Sequence, residues 1–305
     1  MLDGRGRVCF LERDRDRFMA SMRDIKRRKG SIQSTQQITK AMKLVSTVKL
    51  QRAKQRAEQS RDYFSCMYET VVSMLAKAGN IDHPYLRAGS SSKKGIIVIT
   101  SNRGLAGGYN SNVTKLITQG DFSKEDARIY IIGKKGRETL QRHGYTISED
   151  YSEIVEEPQY SNAMEVSRRV LNDFASGEIG EIYLAYTGFK NTVVHEPKLL
   201  KLLPVDIEAT QEGSGEQEGR APMNFEPAED AALDMIIPKY VTSLILGGLV
   251  EAVASENGAR MQAMDSATSN AEEMIDQLTL MYNRARQGSI TQELTEIIAG
   301  ANVIS

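Results

Sequence analysis

The chain has 305 residues, of which 40% are hydrophobic and 6% are aromatic, and it contains no tryptophan. This hydrophobic content is enough for a packed core, so it excludes wholesale disorder, and the length predicts about two structural units. The sequence has no continuous apolar run of the roughly 20 residues that cross a bilayer, so it does not predict an integral membrane protein. Its two cysteines, Cys9 and Cys66, suggest neither a disulfide framework nor a metal site.

The formal net charge of −1 hides a strong segregation of charge along the chain. Residues 22–56 contain eleven basic residues against Asp24 alone, a balance of +10, whereas residues 226–305 have a balance of −8. Such asymmetry indicates either charged partners or a pairing between the two ends of the chain.

The N-terminal part predicts a disordered extension followed by a long helix. Residues 1–18 show no hydrophobic periodicity, so we expect an extension there and a helix over residues 19–79. Within the helix, apolar residues recur every eleven positions, at Met42, Ala53, Phe64 and Leu75. An eleven-residue repeat is typical of a long, nearly straight helix, which needs a partner helix or an enclosing protein to cover it.

The middle of the chain predicts a Rossmann-like α/β domain over residues 80–207. Apolar runs at 95–100, 128–133 and 181–189 predict buried strands, and a further strand at 193–205 contains Pro197, which favours an edge position. Helical patterns lie near residues 108–119, 134–143 and 160–176. The alternation of strands and helices indicates a mostly parallel sheet.

A polar linker is expected at residues 208–224, followed by a C-terminal helix over residues 225–305. The seam that the heptad spacing predicts for this helix consists of Met264, Ala267, Ala271, Met274, Leu278, Met281 and Ala285. We therefore expect the N- and C-terminal helices to form an antiparallel coiled coil that brackets the α/β domain. The methionines fit either ordinary seam packing or a surface that tolerates changing neighbours.

Few features of the sequence point to chemistry of its own. The segment SNRGLAGGYNSN (101–112) lies between a predicted strand and a predicted helix, where a phosphate-binding loop would lie, but it matches no nucleotide-binding motif and also fits a tight structural turn. The histidines are scattered, so no catalytic residue, metal site or cofactor is expected. The basic run lacks aromatic residues for base stacking, which argues against nucleic acid.

The C-terminal tail is unusually apolar for the end of a helix, with apolar residues at Ile297, Ile298, Val303 and Ile304. Such a tail fits either an end docked on its own domain or a tip enclosed by other subunits.

Three segments resemble, in order, one known family. Residues 22–50 resemble the N-terminal helix of the γ subunits of bacterial F-type ATP synthases, 99–112 their central loop, and 257–305 their C-terminal helix. The resemblance covers about residues 19–305. Asn102 differs from the aspartate usual in that loop, and the tail GANVIS differs from the usual ending.

The resemblance implies a non-catalytic rotor shaft, present once in each complex. Its partners would be the α and β subunits of an α3β3 hexamer, the ε subunit and the membrane c-ring, and it would reach the membrane only through the complex. It would couple proton-driven rotation of the ring to ATP synthesis or hydrolysis on the β subunits, at the cytoplasmic face of the bacterial plasma membrane. The alternative is an α/β nucleotide-binding protein with a coiled-coil oligomerisation module.

The resemblance also assigns roles to individual residues. Contact with a catch loop of the β subunit is implied for Arg286 and Gln287. A role at the coupling interface is implied for Met42, Arg260, Thr291, Glu293 and Glu296. The tip in the bearing would be Ile297, Ile298, Val303 and Ile304, and contact with the c-ring or ε is expected at Tyr186, Phe189, Lys190 and Asn191.

Overall fold

The computed structural model describes the backbone of residues 5–77, 83–87, 89, 91–205 and 229–304. Side chains are described from Met22 onward, except at 60–65, 68, 69, 72, 73, 75–77, 229–231, 303 and 304. The predicted linker at 208–224 lies outside these residues.

Two very long helices begin and end the described chain. Helix α1 spans Arg5–Lys77 and helix α5 spans Glu229–Ile304. The backbone is therefore helical over residues 5–18, where the sequence predicts a disordered extension. The physical reason is that no glycine or proline interrupts the chain between Gly6 and Gly30, and arginine, which is frequent there, is a good helix former.

A five-stranded sheet with the order β3-β2-β1-β4-β5 lies between these helices in the sequence. Its strands are β1 (Lys94–Ile99), β2 (Ala127–Ile132), β3 (Ile147–Asp150), β4 (Glu181–Phe189) and β5 (His195–Leu203). The first four are parallel and β5 pairs antiparallel with β4 at the edge, as predicted. Strand β3 is missing from the sequence prediction because it is short and only half-buried.

Helices cover both faces of the sheet, which explains why its strands are apolar on both sides. Three shorter helices, α2 (Tyr109–Thr118), α3 (Lys134–Arg142) and α4 (Tyr160–Ala175), lie within the predicted ranges. One core contains Ile96 and Val98 of β1 and Val113 of α2. The other contains Ile97 and Ile99 of β1 with side chains of α4 and α5.

The chain divides into two compact units, and the division crosses both long helices. Unit 2 is Val45–Ala263, whereas unit 1 consists of Met1–Leu44 and Met264–Ser305. The boundary therefore differs from the predicted division between coiled coil and α/β domain. The first part of α5 belongs to unit 2 because its apolar face packs in the core of the sheet. That face is formed by Leu233, Ile237, Val241, Ile245 and Leu249.

Helix α5 contains an 18-residue window with a mean hydropathy of 1.5, which passes a length-and-composition test for a membrane span. Of this window, 56% is buried inside the protein, the pattern of a helix that packs in a core. It is the one such helix among the described residues.

In unit 1, helices α1 and α5 run antiparallel, and their contact differs in part from the predicted seam. Met264 and Ala271 are buried as expected. Met274 and Met281, however, are 52% and 54% exposed, and Ile275 and Tyr282 are half-buried in their place. The seven-residue repeat is kept, but the second position of each heptad lies one residue later than predicted, at Thr268, Ile275 and Tyr282.

A buried polar network joins the sheet to α4. The hydroxyl of Tyr130, a fully buried residue of β2, donates to the carboxylate of Asp173, which is 6% exposed. Two guanidinium groups, those of Arg128 and Arg169, lie 3.7 and 3.6 Å from the same carboxylate. Burial and this hydrogen bond raise the pKa of the Tyr130 hydroxyl well above its usual value.

We expect Tyr130→Phe to lower the free energy of unfolding by about 1–3 kcal/mol, because it removes a buried hydrogen bond to a charged group. Urea unfolding followed by circular dichroism measures the change. The control is Tyr183→Phe, which removes a hydroxyl that donates to the partly exposed carboxylate of Glu181. An equal loss of unfolding free energy in both variants would contradict the conclusion that burial makes the Tyr130–Asp173 hydrogen bond important for stability.

Candidate functional site

The end of α5 carries a continuous exposed stripe. Arg286, Ile290, Leu294 and Ile297 follow each other at intervals of four, four and three residues, so they lie on one face of the helix. Ile290 is 48% exposed, Leu294 55% and Ile297 67%. We call these four residues the tip stripe. Ile298 beside it is 60% exposed, whereas the side chains of Val303 and Ile304 lie outside the described residues.

The polar residues predicted near the tip border this stripe. Gln287, Thr291 and Glu293 are exposed, like Arg286. Glu296 is half-buried and accepts a hydrogen bond of 3.1 Å from the side-chain amide of Gln292, one turn earlier. The stripe thus combines an exposed cation at its start with apolar side chains beyond it.

Met42, the predicted coupling residue of α1, is half-buried in unit 1. It is followed by Lys43, whose ammonium nitrogen lies 2.6 Å from the carboxylate of Asp265 on α5. The structure therefore places Met42 at the margin of the contact between α1 and α5.

Arg260, the other coupling residue, lies inside unit 2. Its guanidinium forms an ion pair of 2.7 Å with Glu256, and the two side chains are only 11% and 13% exposed. The same guanidinium lies 3.4–3.5 Å from the carbonyl oxygens of Arg103 and Gly104, in the loop that follows β1. Arg260 is thus placed to hold this loop against α5.

Burial dominates the electrostatics around this ion pair. It raises the pKa of the Glu256 carboxyl, and the positive charge of Arg260 offsets only part of that effect. Nearby, the Tyr109 hydroxyl donates to the carbonyl oxygen of Ala252, and burial raises its pKa well above the usual value. The contacts of Arg260 therefore connect the loop after β1 to α5, and the hydrogen bond of Tyr109 connects the start of α2 to the same helix.

The loop over residues 101–108 satisfies its own polar groups, which argues against the phosphate-binding interpretation. The side-chain oxygen of Asn110 accepts from the backbone N–H of Ser101 at 2.9 Å, and its amide donates to the Ser101 hydroxyl oxygen at 2.8 Å. Gly107 has a φ of 56°, and a Cβ added to it would lie 4.0 Å from the Cβ of Ala263. Helix α5 therefore lies at the place where a ligand would approach this loop.

Asn102 connects loops at the carboxyl edge of the sheet. Its oxygen accepts from the backbone N–H of Lys134 at the start of α3, and its amide donates to the carbonyl oxygen of Ser152 at 2.7 Å. The Ser152 N–H and hydroxyl in turn donate to Asp150 at the end of β3, which also pairs with Arg137.

The segment expected to contact the c-ring or ε is only partly available at the surface. Tyr186 is 9% exposed, so little of its side chain is available for a surface contact; burial and the charge of Glu251 raise its pKa to about 12. Phe189 is half-buried, and its N–H lies 3.3 Å from the carboxylate of Glu251. Lys190 and Asn191 are exposed, and the Asn191 side chain accepts hydrogen bonds from two N–H groups of the following turn.

The internal role of Arg260 is the main feature that the sequence prediction missed. The signal was present, because Glu256 and Arg260 are four residues apart and therefore adjacent on one helix face. Their contact with Arg103 and Gly104 had no such signal, since more than 150 residues separate them in the sequence.

Comparison with known proteins assigns the chain to a family. A family model described as ATP synthase matches residues 21–304. The chain belongs to the family of ATP synthase γ subunits. The ATP synthase gamma chain of Lachnoclostridium phytofermentans is 66% identical over 291 residues, which cover 94% of this chain and 100% of the relative. The sodium-ion-specific gamma chain of Acetobacterium woodii is 40% identical and covers 93% of this chain and 99% of the relative.

Solved structures show the same fold. A chain of the Euglena gracilis mitochondrial ATP synthase, in a structure of OSCP, F1 and the c-ring, has a TM-score of 0.67 at 18% identity and covers 93% of this chain and 95% of that one. A chain of the central stalk and c-ring structure from Tetrahymena thermophila has a TM-score of 0.56 at 24% identity, over 75% and 99% of the two chains. Members of this family are stalk subunits and not the catalytic subunit, and the F1 sector to which they belong is peripheral to a membrane.

Arg260→Ala should release the loop after β1 and destabilise unit 2. Because it leaves Glu256 buried without its partner, we expect a loss of about 3–5 kcal/mol in the free energy of unfolding. Limited trypsin digestion provides a local measurement, since cleavage after the exposed Arg103 should become faster. Arg284→Ala, which removes an exposed arginine of the same helix, is the control. Unchanged cleavage after Arg103 would show that Arg260 does not hold the loop.

Asp150 should contribute to stability in a pH-dependent way. Burial acts to raise the pKa of its carboxyl, but hydrogen bonds from Ser152 and Arg137 outweigh this, so the pKa is lowered. A lowered pKa means that the folded state favours the charged carboxylate. The stabilisation is therefore present above the ordinary pKa of an aspartate and is lost as the pH falls through the lowered value.

We expect Asp150→Asn to flatten the fall in the free energy of unfolding between about pH 5 and about pH 3. Urea titrations at several pH values measure this slope. Asp121→Asn, at an exposed position, should leave it unchanged. A slope in Asp150→Asn equal to that of the unmodified chain would contradict the prediction.

Proposed function

We propose that this protein is the central rotor shaft of an F1 complex, and that it couples rotation of a membrane c-ring to the conformational cycle of the catalytic β subunits. The tip stripe supports this proposal most directly. Exposed contiguous apolar surface is unusual on a soluble protein unless a partner covers it. In a member of the γ-subunit family, an enclosing collar of α and β subunits accounts for such a surface at the end of α5.

The charges of unit 1 agree with an enclosing partner of acidic character. Most basic residues of α1 in this unit are exposed, Lys40 among them, whereas Lys43 is half-buried. Lys43 is paired with Asp265, whereas the upstream cluster at residues 26–29 lies mostly in solvent. A rotating contact suits long, flexible cations, because they exchange partners with little change in geometry.

Arg286 is the residue of the tip best suited to a directional contact. Its guanidinium offers a planar set of donors that can bind a carboxylate through two hydrogen bonds. We assign Arg286 and Gln287 to contact with a loop of the β subunit, and the apolar part of the tip stripe to the surrounding collar.

The proposed partners are three α and three β subunits, ε and the c-ring, with one copy of this chain in each complex. The proposed location is the cytoplasmic face of the bacterial plasma membrane, which follows from the bacterial relatives. The assignment as a shaft is the same for a proton-driven and a sodium-driven ring; the name of one relative specifies sodium.

Affinity purification of the full chain from its native membranes tests the proposal. Stoichiometric α and β subunits, identified by mass spectrometry, are expected, with no ATP hydrolysis by the separated chain. A chain that hydrolyses ATP alone, or that purifies without α and β subunits, would refute the assignment.

Arg286→Ala should impair coupling without unfolding the protein. The side chain is exposed, so its removal should change the melting temperature very little. Loss of charged hydrogen bonds to a β-subunit loop should weaken that contact by about 1.5–3 kcal/mol. ATP-driven ion pumping per ATP hydrolysed, in reconstituted vesicles, measures the effect, with Arg284→Ala as the control. A drop in melting temperature as large as that of Tyr130→Phe would speak against a contact role.

A further inference from the structure

In unit 1, the contact between α1 and α5 contains three successive polar layers. The Lys43 ammonium nitrogen lies 2.6 Å from Asp265 Oδ1, and Gln36 Nε2 donates to Glu272 Oε1 at 3.0 Å. Between them, the hydroxyl oxygens of Thr39 and Thr268 are 2.8 Å apart. We call these three pairs the polar ladder. We propose that the polar ladder fixes the antiparallel register of the two helices, and thereby the axial position of the tip stripe relative to α1.

The spacing of the ladder is that of a helical seam. On α1 the ladder consists of Gln36, Thr39 and Lys43, at intervals of three and four residues. On α5 it consists of Asp265, Thr268 and Glu272, also at intervals of three and four residues, and this helix runs in the opposite direction. These are the positions where coiled coils usually place apolar side chains, and a polar residue there is known to specify register at a cost in stability. The remaining seam positions do not specify register as sharply, because small residues such as Ala267 and Ala271 fit many neighbours.

The central layer is the most discriminating of the three. Thr39 is 7% exposed and Thr268 is half-buried, whereas each outer layer contains an exposed carboxylate, that of Asp265 or Glu272, and exposed ion pairs contribute little. The Thr39 hydroxyl also lies 3.0 Å from the carbonyl oxygen of Gln36, and that of Thr268 lies 2.7 Å from the carbonyl oxygen of Met264. Two hydroxyl protons serve three possible hydrogen bonds, so one threonine donates to its own helix while the other donates across.

A slip of one turn, about 5.4 Å, removes this layer. In one direction Thr39 would lie opposite Met264, and Lys43 would lose Asp265. In the other direction Thr39 would lie opposite Glu272. The hydrogen bond between the hydroxyl groups of Thr39 and Thr268 therefore forms only in the observed register.

Disulfide trapping in the full chain tests the proposal. In a Cys9→Ser/Cys66→Ser background, the observed register predicts a disulfide between Ile32→Cys and Ile275→Cys, two half-buried positions where the spacing of the ladder places the next layer. A disulfide between Ile32→Cys and either Ala271→Cys or Thr279→Cys reports a displaced register, because these positions lie one helical turn before and after Ile275. Oxidation with copper phenanthroline and non-reducing electrophoresis give the yield of each pair.

We expect Thr39→Val/Thr268→Val to raise the ratio of displaced to native disulfide about fivefold, the value of one hydrogen bond of ordinary strength. The melting temperature should fall little or rise, because valine packs well at seam positions. A purely structural role would instead lower the melting temperature and leave the ratio unchanged. The matched control is Thr35→Val/Thr295→Val, which removes two exposed hydroxyls that donate within their own helices.

An unchanged ratio in the double valine variant overturns the proposal. If that variant does not fold, Lys43→Asp takes its place, because it sets two carboxylates against each other only in the observed register. It should raise the displaced yield, and the exchange Lys43→Asp/Asp265→Lys should restore the native yield. Failure of the exchange to restore it also overturns the proposal.

Discussion

The apolar face that α5 lays on the sheet is the contact on which the rest of unit 2 depends. Ile237, Val241, Ile245 and Leu249 are fully buried there. A parallel sheet with apolar strands needs both faces covered, and without this helix one face would be open to water. The same contact carries Arg260 to the loop after β1, so the polar contacts of that loop follow from the apolar packing below it.

The two long helices change the chemistry of their contacts between the two units. In unit 2 they bury apolar residues, such as Leu50 and Ala53 of α1 with Ala254 of α5. In unit 1, the described residues that are buried are Thr39, Met264, Ala271 and Ser289, two of them polar, while several large apolar residues of α5, such as Met281 and Leu294, are exposed. This arrangement is unfavourable for a coiled coil alone and suitable for one that a collar of subunits encloses.

Hydrophobic patterns predicted most of the fold. Strands β1, β2, β4 and β5 stand out because their apolar runs are bounded by polar residues, whereas β3 is too short and too polar to do so, and helices α2 to α4 fall in the predicted ranges. The seam of α5 was predicted only in part. Methionine is apolar wherever it lies, so Met274 and Met281 satisfied the heptad pattern although both are exposed. The apolar tail was predicted from Ile297, Ile298, Val303 and Ile304, and Ile297 is the member of the tip stripe that belongs to it.

The roles of individual site residues were harder to predict, since they depend on contacts distant in sequence. The resemblance to γ subunits implies a role for Arg260 at an interface, which stays a prediction, and the structure adds an ion pair with Glu256 and contacts with the loop after β1. The resemblance implied a contact role for Tyr186, although its strand was predicted to be buried, and in the structure helix α5 packs over this side chain.

Asn102 shows how a departure from a family pattern can be more than neutral variation. Its amide group accepts one hydrogen bond from α3 and donates another to Ser152, and a carboxylate could make only the first. An aspartate at this position would place a negative charge against the carbonyl oxygen of Ser152. In this chain the exchange of one side-chain atom therefore adds a hydrogen bond between the loops after β1 and β3, and because its acceptor is a backbone carbonyl, the bond does not depend on which side chain stands at position 152.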